Sequence, residues 1–152
     1  MEGKVLKLLS RHLTVDFFHC KEESVANGAA IERGVREAIT TAGFEIEATS
    51  ARALDDQFVV TVIFPEGHLA LHAYGELRYV ALDIFLCKES AEPEAIFRHI
   101  KKIFEPDKTK TTFIKRGDFG KDIKPKVKTR FAPVRKIKAT GASVMKILSN
   151  KK

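Results

Sequence analysis

The sequence is poor in the residues that crosslink a chain or carry it through a membrane. Tryptophan is absent, and 152 residues hold only two cysteines, two methionines and five prolines. The cysteines, Cys20 and Cys87, allow at most one bridge, and nothing in the chain signals secretion. Both are therefore expected as thiols in a reducing compartment. No CxxC or HExxH spacing occurs, which argues against a structural zinc. No run of about 18 apolar residues occurs, so no membrane span is expected. The opening MEGKVLKLLSRH lacks a leader-type apolar core and a small-residue cleavage site, so the expected location is the cytoplasm.

What is present is enough for one domain with an extension. The hydrophobic share is 44%, sufficient for a core at this length. Charge is distributed unevenly. From Lys115 to Lys152 there are 13 Lys/Arg against two acids, a local net of +11, whereas the first 114 residues hold 14 basic and 18 acidic groups, a net of −4. The overall +7 thus belongs to the C-terminal quarter. A domain over residues 1–118 followed by a basic extension over 119–152 is the expected division.

Hydrophobic periodicity supplies the elements. Residues 12–18, HLTVDFF, alternate at strand period. Residues 28–42 place Ile31, Val35, Ala38, Ile39 and Ala42 on one helical face, with Gly43 as a C-terminal stop. Phe44–Ile46 are expected to begin a short strand, and ATSARALDDQ to form an irregular connection. FVVTVIF (58–64) is β-branched and apolar, a largely buried strand. HLALHAY (68–74) alternates, Gly75-Glu76 breaks the chain in a hairpin-like turn, and RYVALDIFLC (78–87) is the longest strand candidate. Residues 92–104 are helical in period and end at Pro106-Asp107, and TKTTFIKRG (109–117) reads as a last strand. A short amphipathic helix is expected at 142–149. The order β-α-β-β, β-β-α-β predicts an α/β (α+β) sandwich, a mainly antiparallel sheet with its helices on one face.

The stretch PEGHLALH, residues 65–72, carries the chemistry-bearing side chains: Glu66, His68 and His72, with Gly67 among them. Together, HLTVDFFHCK, FPEGHLALHAYGE, YVALDIFLCK and a final KRG resemble, in order and spacing, the bacterial and archaeal class of S-adenosylmethionine decarboxylases. The resemblance covers roughly residues 10–117. It falls on a strand of the type HLxxDxxxC, a self-processing segment ESHxxxHxxPE and a strand AxDxFxCG. Glu66, His68, His72 and Glu76 match the second pattern; Ala81, Asp83, Phe85 and Cys87 match the third.

That resemblance implies a chemistry and at once puts it in doubt. In the family a serine hydroxyl attacks the carbonyl of the preceding glutamate. The resulting ester eliminates, the chain breaks, and the serine becomes a pyruvoyl group, the electron sink for decarboxylation. Gly67 stands at the serine's position, with no hydroxyl to attack and no β-carbon for the ketone's methyl group. Val59 replaces a second family serine eight residues upstream, the glycine-rich loop before it is absent, Gly75 replaces a proline, and Lys88 replaces the glycine after the last cysteine. The expectation is an uncleaved chain without a pyruvoyl cofactor.

By the same resemblance His72 is the proton-moving histidine of processing and Cys87 the proton donor to the product carbon, both as positions that outlast their use. Their bland readings are a histidine packed on a strand and a small buried hydrophobe. Glu66, Gly67 and His68 form the remnant of the processing site, with His68 expected to be structural. Glu76 is the candidate contact for a ligand's amine or ribose, against the reading of a surface charge. The implied partners are S-adenosylmethionine or a related amine, and a second subunit, either a like chain or an active paralogue, since the family's subunits pair with each site near their boundary. For the extension, a protein contact or no specific partner is favoured over nucleic acid, because no nucleic-acid motif is visible. The functional expectation is a non-catalytic homologue in polyamine (spermidine) metabolism that binds a ligand or regulates. The alternatives are a decarboxylase working by an unrecognised route and a binding module that uses the basic extension.

Overall fold

A computed structural model describes residues 9–88 and 90–118, all within one compact unit. The extension from 119 onward, with the helix expected at 142–149, lies outside the described residues. The elements in chain order are β1 (Ser10–Phe18), α1 (Glu22–Ala26), α2 (Gly28–Thr41), β2 (Ala48–Ala53), β3 (Phe58–Phe64), β4 (Gly67–Tyr74), β5 (Tyr79–Leu86), α3 (Pro93–Phe104) and β6 (Lys108–Arg116). They form one six-stranded sheet in the order β2-β3-β4-β5-β1-β6, every neighbouring pair antiparallel. The expected α/β sandwich is the fold observed. Among the described residues no helix is long and apolar enough to cross a membrane.

One sheet face and the helices build the core. Strand alternation turns Leu13, Val15 and Phe17 of β1, Leu69 and Leu71 of β4, and Leu82 and Ile84 of β5 to the same side, all buried. Against them α2 sets Ile31, Val35 and Ile39, and α3 sets Ile96, Ile100 and Phe104. Each such side chain taken from water contributes about 1.5–3 kcal/mol. Phe17 stacks on Phe97 at 6.0 Å between ring centroids and lies 6.1 Å from Phe104. At its start α2 is held by Asn27, whose Oδ1 accepts from the Ala30 N–H at 3.1 Å. It stops at Gly43, whose φ of 90° is open to glycine at no steric cost and whose N–H returns to the Thr40 carbonyl.

Two expectations are corrected. Phe44–Ile46 are not a strand; β2 lies within the stretch expected to be irregular. The pull on Phe44 is tertiary: its N–H bonds the Ile39 carbonyl and its ring packs 5.3 Å from that of Phe64. β2 is an exposed edge strand of small and polar residues, so it has no hydrophobic period to read; its ladder to β3 makes it. β3, expected to be largely buried, is buried along one side. Val60, Val62 and Phe64 point into the core, but Ile63 on the other face is 53% exposed. The helices cover one face only, and the other is open.

Candidate functional site

The open face carries the side chains that the sequence singled out, and the register fixes their order across it. His12 on β1 lies beside Phe85 on β5, which lies beside His68 on β4, which lies beside Ile63 on β3. One step further along the strands, Thr14, Asp83, Ala70 and Thr61 form the next row; beyond it come Asp16, Ala81, His72 and Val59. The first row is an aromatic cluster centred on Phe85. His68 stacks on it at 5.3 Å, His12 meets its edge at 5.9 Å, and the Arg116 guanidinium sits 5.4 Å from its ring centroid. His12 Nε2 is 3.4 Å from Asp83 Oδ1.

Gly67 opens β4 at the margin of this cluster. Opposite it stands Leu86, and the Cys87 N–H donates to the Glu66 carbonyl at 2.6 Å. The carbonyl that a family serine would attack is therefore a ladder acceptor between β4 and β5. Gly67 has a φ of 157°, and a β-carbon built there would lie 1.9 Å from the Phe85 carbonyl oxygen and 2.9 Å from its carbon. These are backbone atoms, which no rotamer change can move. The strands close on each other at a point where only glycine fits.

The remaining candidates do not converge on Gly67 within one subunit. His72 is five residues along the same strand, about 17 Å away. It sits directly across from Val59, and its Nδ1 is 2.7 Å from Gln57 Oε1. That amide oxygen is an acceptor, so Nδ1 is the ring nitrogen placed to donate to it. A 450 Å³ depression beside it is lined by Arg52, Val59, Thr61 and His72, among others. Glu76 lies past the far end of β4, exposed, at the rim of an acidic cleft that also includes Asp55 and Asp56. Thus the structure joins Glu66, Gly67, His68 and Cys87 at one end of the face, joins His72 to Val59 along it, and separates both from Glu76.

The two cysteines are free and differ in character. Cys87 is exposed, so the reading of a buried hydrophobe fails for it: the strand has ended at Leu86 and, among the described residues, the thiol is left uncovered. Cys20 is fully buried, and burial pushes its thiol up to about 11, the nearby Arg78 guanidinium pulling the other way. Glu66 Oε2 is buried with no hydrogen-bond partner among the described residues, beside a 350 Å³ depression formed with Lys88, Glu92 and the end of α2. Among these residues no cluster of His, Cys, Asp and Glu is disposed to hold a metal ion.

Sequence reasoning missed the aromatic cluster and a second one. Tyr79 hydrogen-bonds Asp16 and stacks on Tyr74 at 5.7 Å, with Phe18 beside it at 5.4 Å. Partial burial first, and then the Asp16 hydrogen bond, push the Tyr79 hydroxyl up to about 12. Alternation alone places each of these residues on an open face. Which of them meet depends on strand order and register, which alternation does not contain.

The described residues thus form a one-sided antiparallel sheet backed by helices, with Glu66, Gly67, His68 and Cys87 gathered where β4 begins and β5 ends. The comparisons fix the family. The family model described as S-adenosylmethionine decarboxylase matches residues 11–117, and the chain belongs to that family. It is 29% identical over 113 residues to the S-adenosylmethionine decarboxylase proenzyme of Methanococcus maripaludis, covering 74% of this chain and 93% of the relative. The proenzyme of Thermotoga petrophila is 31% identical over 115 residues, covering 75% and 88% respectively. The crystal structure of the adenosylmethionine decarboxylase from Aquifex aeolicus superposes with a TM-score of 0.67 at 15% identity, covering 73% of this chain and 92% of that one; it is a likeness of fold.

Proposed function

We propose that this chain is an uncleaved member of its family, without a pyruvoyl group, that serves polyamine metabolism as a ligand-binding or regulatory subunit. One observation carries the reading. Position 67 offers neither the oxygen that would attack the Glu66 carbonyl nor the space for the carbon that bears it. A pyruvoyl group has a methyl carbon derived from the serine β-carbon. The residues present do not fit it.

What the chain retains supports binding. Phe85, His68, His12 and Arg116 give a flat π surface with a cation at its edge, suited to an adenine ring. Phe85 and the Tyr74–Tyr79 pair can receive a sulfonium by cation–π attraction. The same geometry supports pairing of subunits through the open faces. Ile63 is 53% exposed on that face, and His72 lies about 17 Å from Gly67 on a single strand. A site that used both ends would therefore need a second subunit, either a like chain or an active paralogue. The proposed location is the cytoplasm.

Titration calorimetry with S-adenosylmethionine tests the ligand, and light scattering on the eluted protein tests the pairing. Saturable heat, and a mass twice the 17.0 kDa of one chain, are expected. Absence of heat at millimolar ligand removes the ligand reading; a monomer across the accessible concentrations removes the pairing.

A further inference from the structure

The two edges of the sheet differ in charge, and the difference points to a partner. β2 forms one edge and carries a single cation, Arg52. β6 forms the other, nine residues of sequence KTKTTFIKR with no acid among them. Lys108, Lys110, Lys115 and Arg116 are all exposed; on the adjoining strand Arg11 lies across from Lys115 and Asp16, hydrogen-bonded to Tyr79, across from Lys110. The ion pairs His12–Asp83 and Lys21–Glu105 involve none of them. Lys108 and Lys110 share the open-face side with Ile114, while Lys115 shares the opposite side with Phe113. Cations thus flank the edge from both sides, and Phe113 and Ile114 between them are 41% and 40% exposed.

We propose that β6 is a binding edge for single-stranded nucleic acid. A nine-residue strand spans about 30 Å, the length of a few nucleotides. Its cations answer phosphates, and the Phe113 ring, 41% exposed on one side of the edge, offers a face on which a base can stack. A partner protein strand is disfavoured, because lysines along an edge are what keeps a second strand from adding. A flexible polyanion meets no such obstacle and receives the edge N–H groups as further donors. The sequence that follows is of the same character: residues 119–152 hold 11 Lys/Arg and one acid. The curated relatives described above match this chain over 113 and 115 residues, which is 93% and 88% of their own length, so an extension of this size is not part of what they share. The absence of a recognisable motif argued against nucleic acid at the sequence level; the bare basic edge is what the structure adds.

The test is fluorescence anisotropy of a labelled 20-nucleotide single-stranded RNA with the full chain, from 50 to 300 mM salt. Wild-type binding is expected to weaken steeply with salt. In Lys108→Gln/Lys110→Gln/Lys115→Gln the slope of log affinity on log salt should fall by about 2, with a slope contribution of about 0.7 for each phosphate contact on a single strand. At 100 mM salt the affinity should drop about tenfold or more. The triple Lys→Arg variant should keep both slope and affinity, and ultraviolet crosslinking of the wild-type complex should mark the peptide containing Phe113. No binding at 50 mM salt, an unchanged slope in the glutamine variant, or crosslinks confined to other peptides overturns the proposal. Binding to phosphatidylserine vesicles without binding to RNA overturns it as well.

Discussion

Placing a side chain on Gly67 is the perturbation for which the structure gives the clearest magnitude. An added β-carbon would lie 1.9 Å from the Phe85 carbonyl oxygen. The closest C–H···O contacts between strands are about 3.3 Å. β4 and β5 would therefore have to part by roughly 1.4 Å at this point, stretching the Cys87 N–H bond to the Glu66 carbonyl. A backbone conformation reserved for glycine costs about 1–3 kcal/mol when forced on another residue, and overpacking a further 1–3 kcal/mol. For a domain of about 110 residues, each kcal/mol lowers Tm by about 4 °C. Gly67→Ala and Gly67→Ser should then each melt roughly 10–20 °C below wild type, by circular dichroism. The two should agree within a few degrees, because the β-carbon and not the hydroxyl is at fault. Mass spectrometry of Gly67→Ser should show one uncut chain. A Gly67→Ala protein as stable as wild type would refute the steric argument. A Gly67→Ser protein that cleaves itself would show that the processing machinery is intact apart from its nucleophile.

Four further outcomes follow from particular contacts. The native protein should react with one equivalent of a thiol reagent at pH 8, at Cys87, and with a second only after unfolding, since the Cys20 thiol is fully buried and titrates near 11; two fast equivalents would contradict its environment. Cys20 and Tyr79 both hold their protons more tightly in the fold, near 11 and 12 against ordinary values of 9.0 and 10.0. Their contribution to stability is therefore complete below about pH 9 and is lost as pH rises through 11 to 12, so melts should worsen over that window and not between pH 7 and 8.5. Arg78→Ala should cost about 2 kcal/mol in urea unfolding, because its Nε donates to the Cys20 carbonyl at 2.6 Å and helps hold the β4–β5 turn against β1; a neutral effect would show that water replaces it. Ile63→Glu should leave the fold intact, at a residue 53% exposed, yet yield a monomer by light scattering; an unchanged dimer would place the interface elsewhere.

Most of the architecture was legible because period and burial agree. Leu13, Val15 and Phe17, and likewise Leu82, Ile84 and Leu86, alternate in sequence and are buried in the fold. The helix ending at Gly43 and the one opened by Pro93 carry their own stop and start signals. β2 was illegible because an edge strand is specified by its partner: Ser50 and Ala51 bury nothing, and β3 supplies their ladder. α1 was missed for a similar reason, five residues with one buried side chain, Val25, being too few to show a period. At the site the sequence identified which atoms position 67 lacks. It could not show that the Phe85 carbonyl has closed over the space, nor that His72 lies across from Val59 and along the sheet from Gly67. Those are facts of register, set by pairings between strands far apart in the chain. The basic edge was hidden in the same way, because only the strand order reveals that KTKTTFIKR borders the sheet.

The central claim is that position 67 cannot support self-cleavage. The most direct test is the intact mass of the purified wild-type protein, followed by sequencing of its amino end. One species at the 17.0 kDa of the full chain is predicted. Two fragments summing to that mass, the second beginning at position 67 with a blocked, ketone-bearing end, would contradict the account.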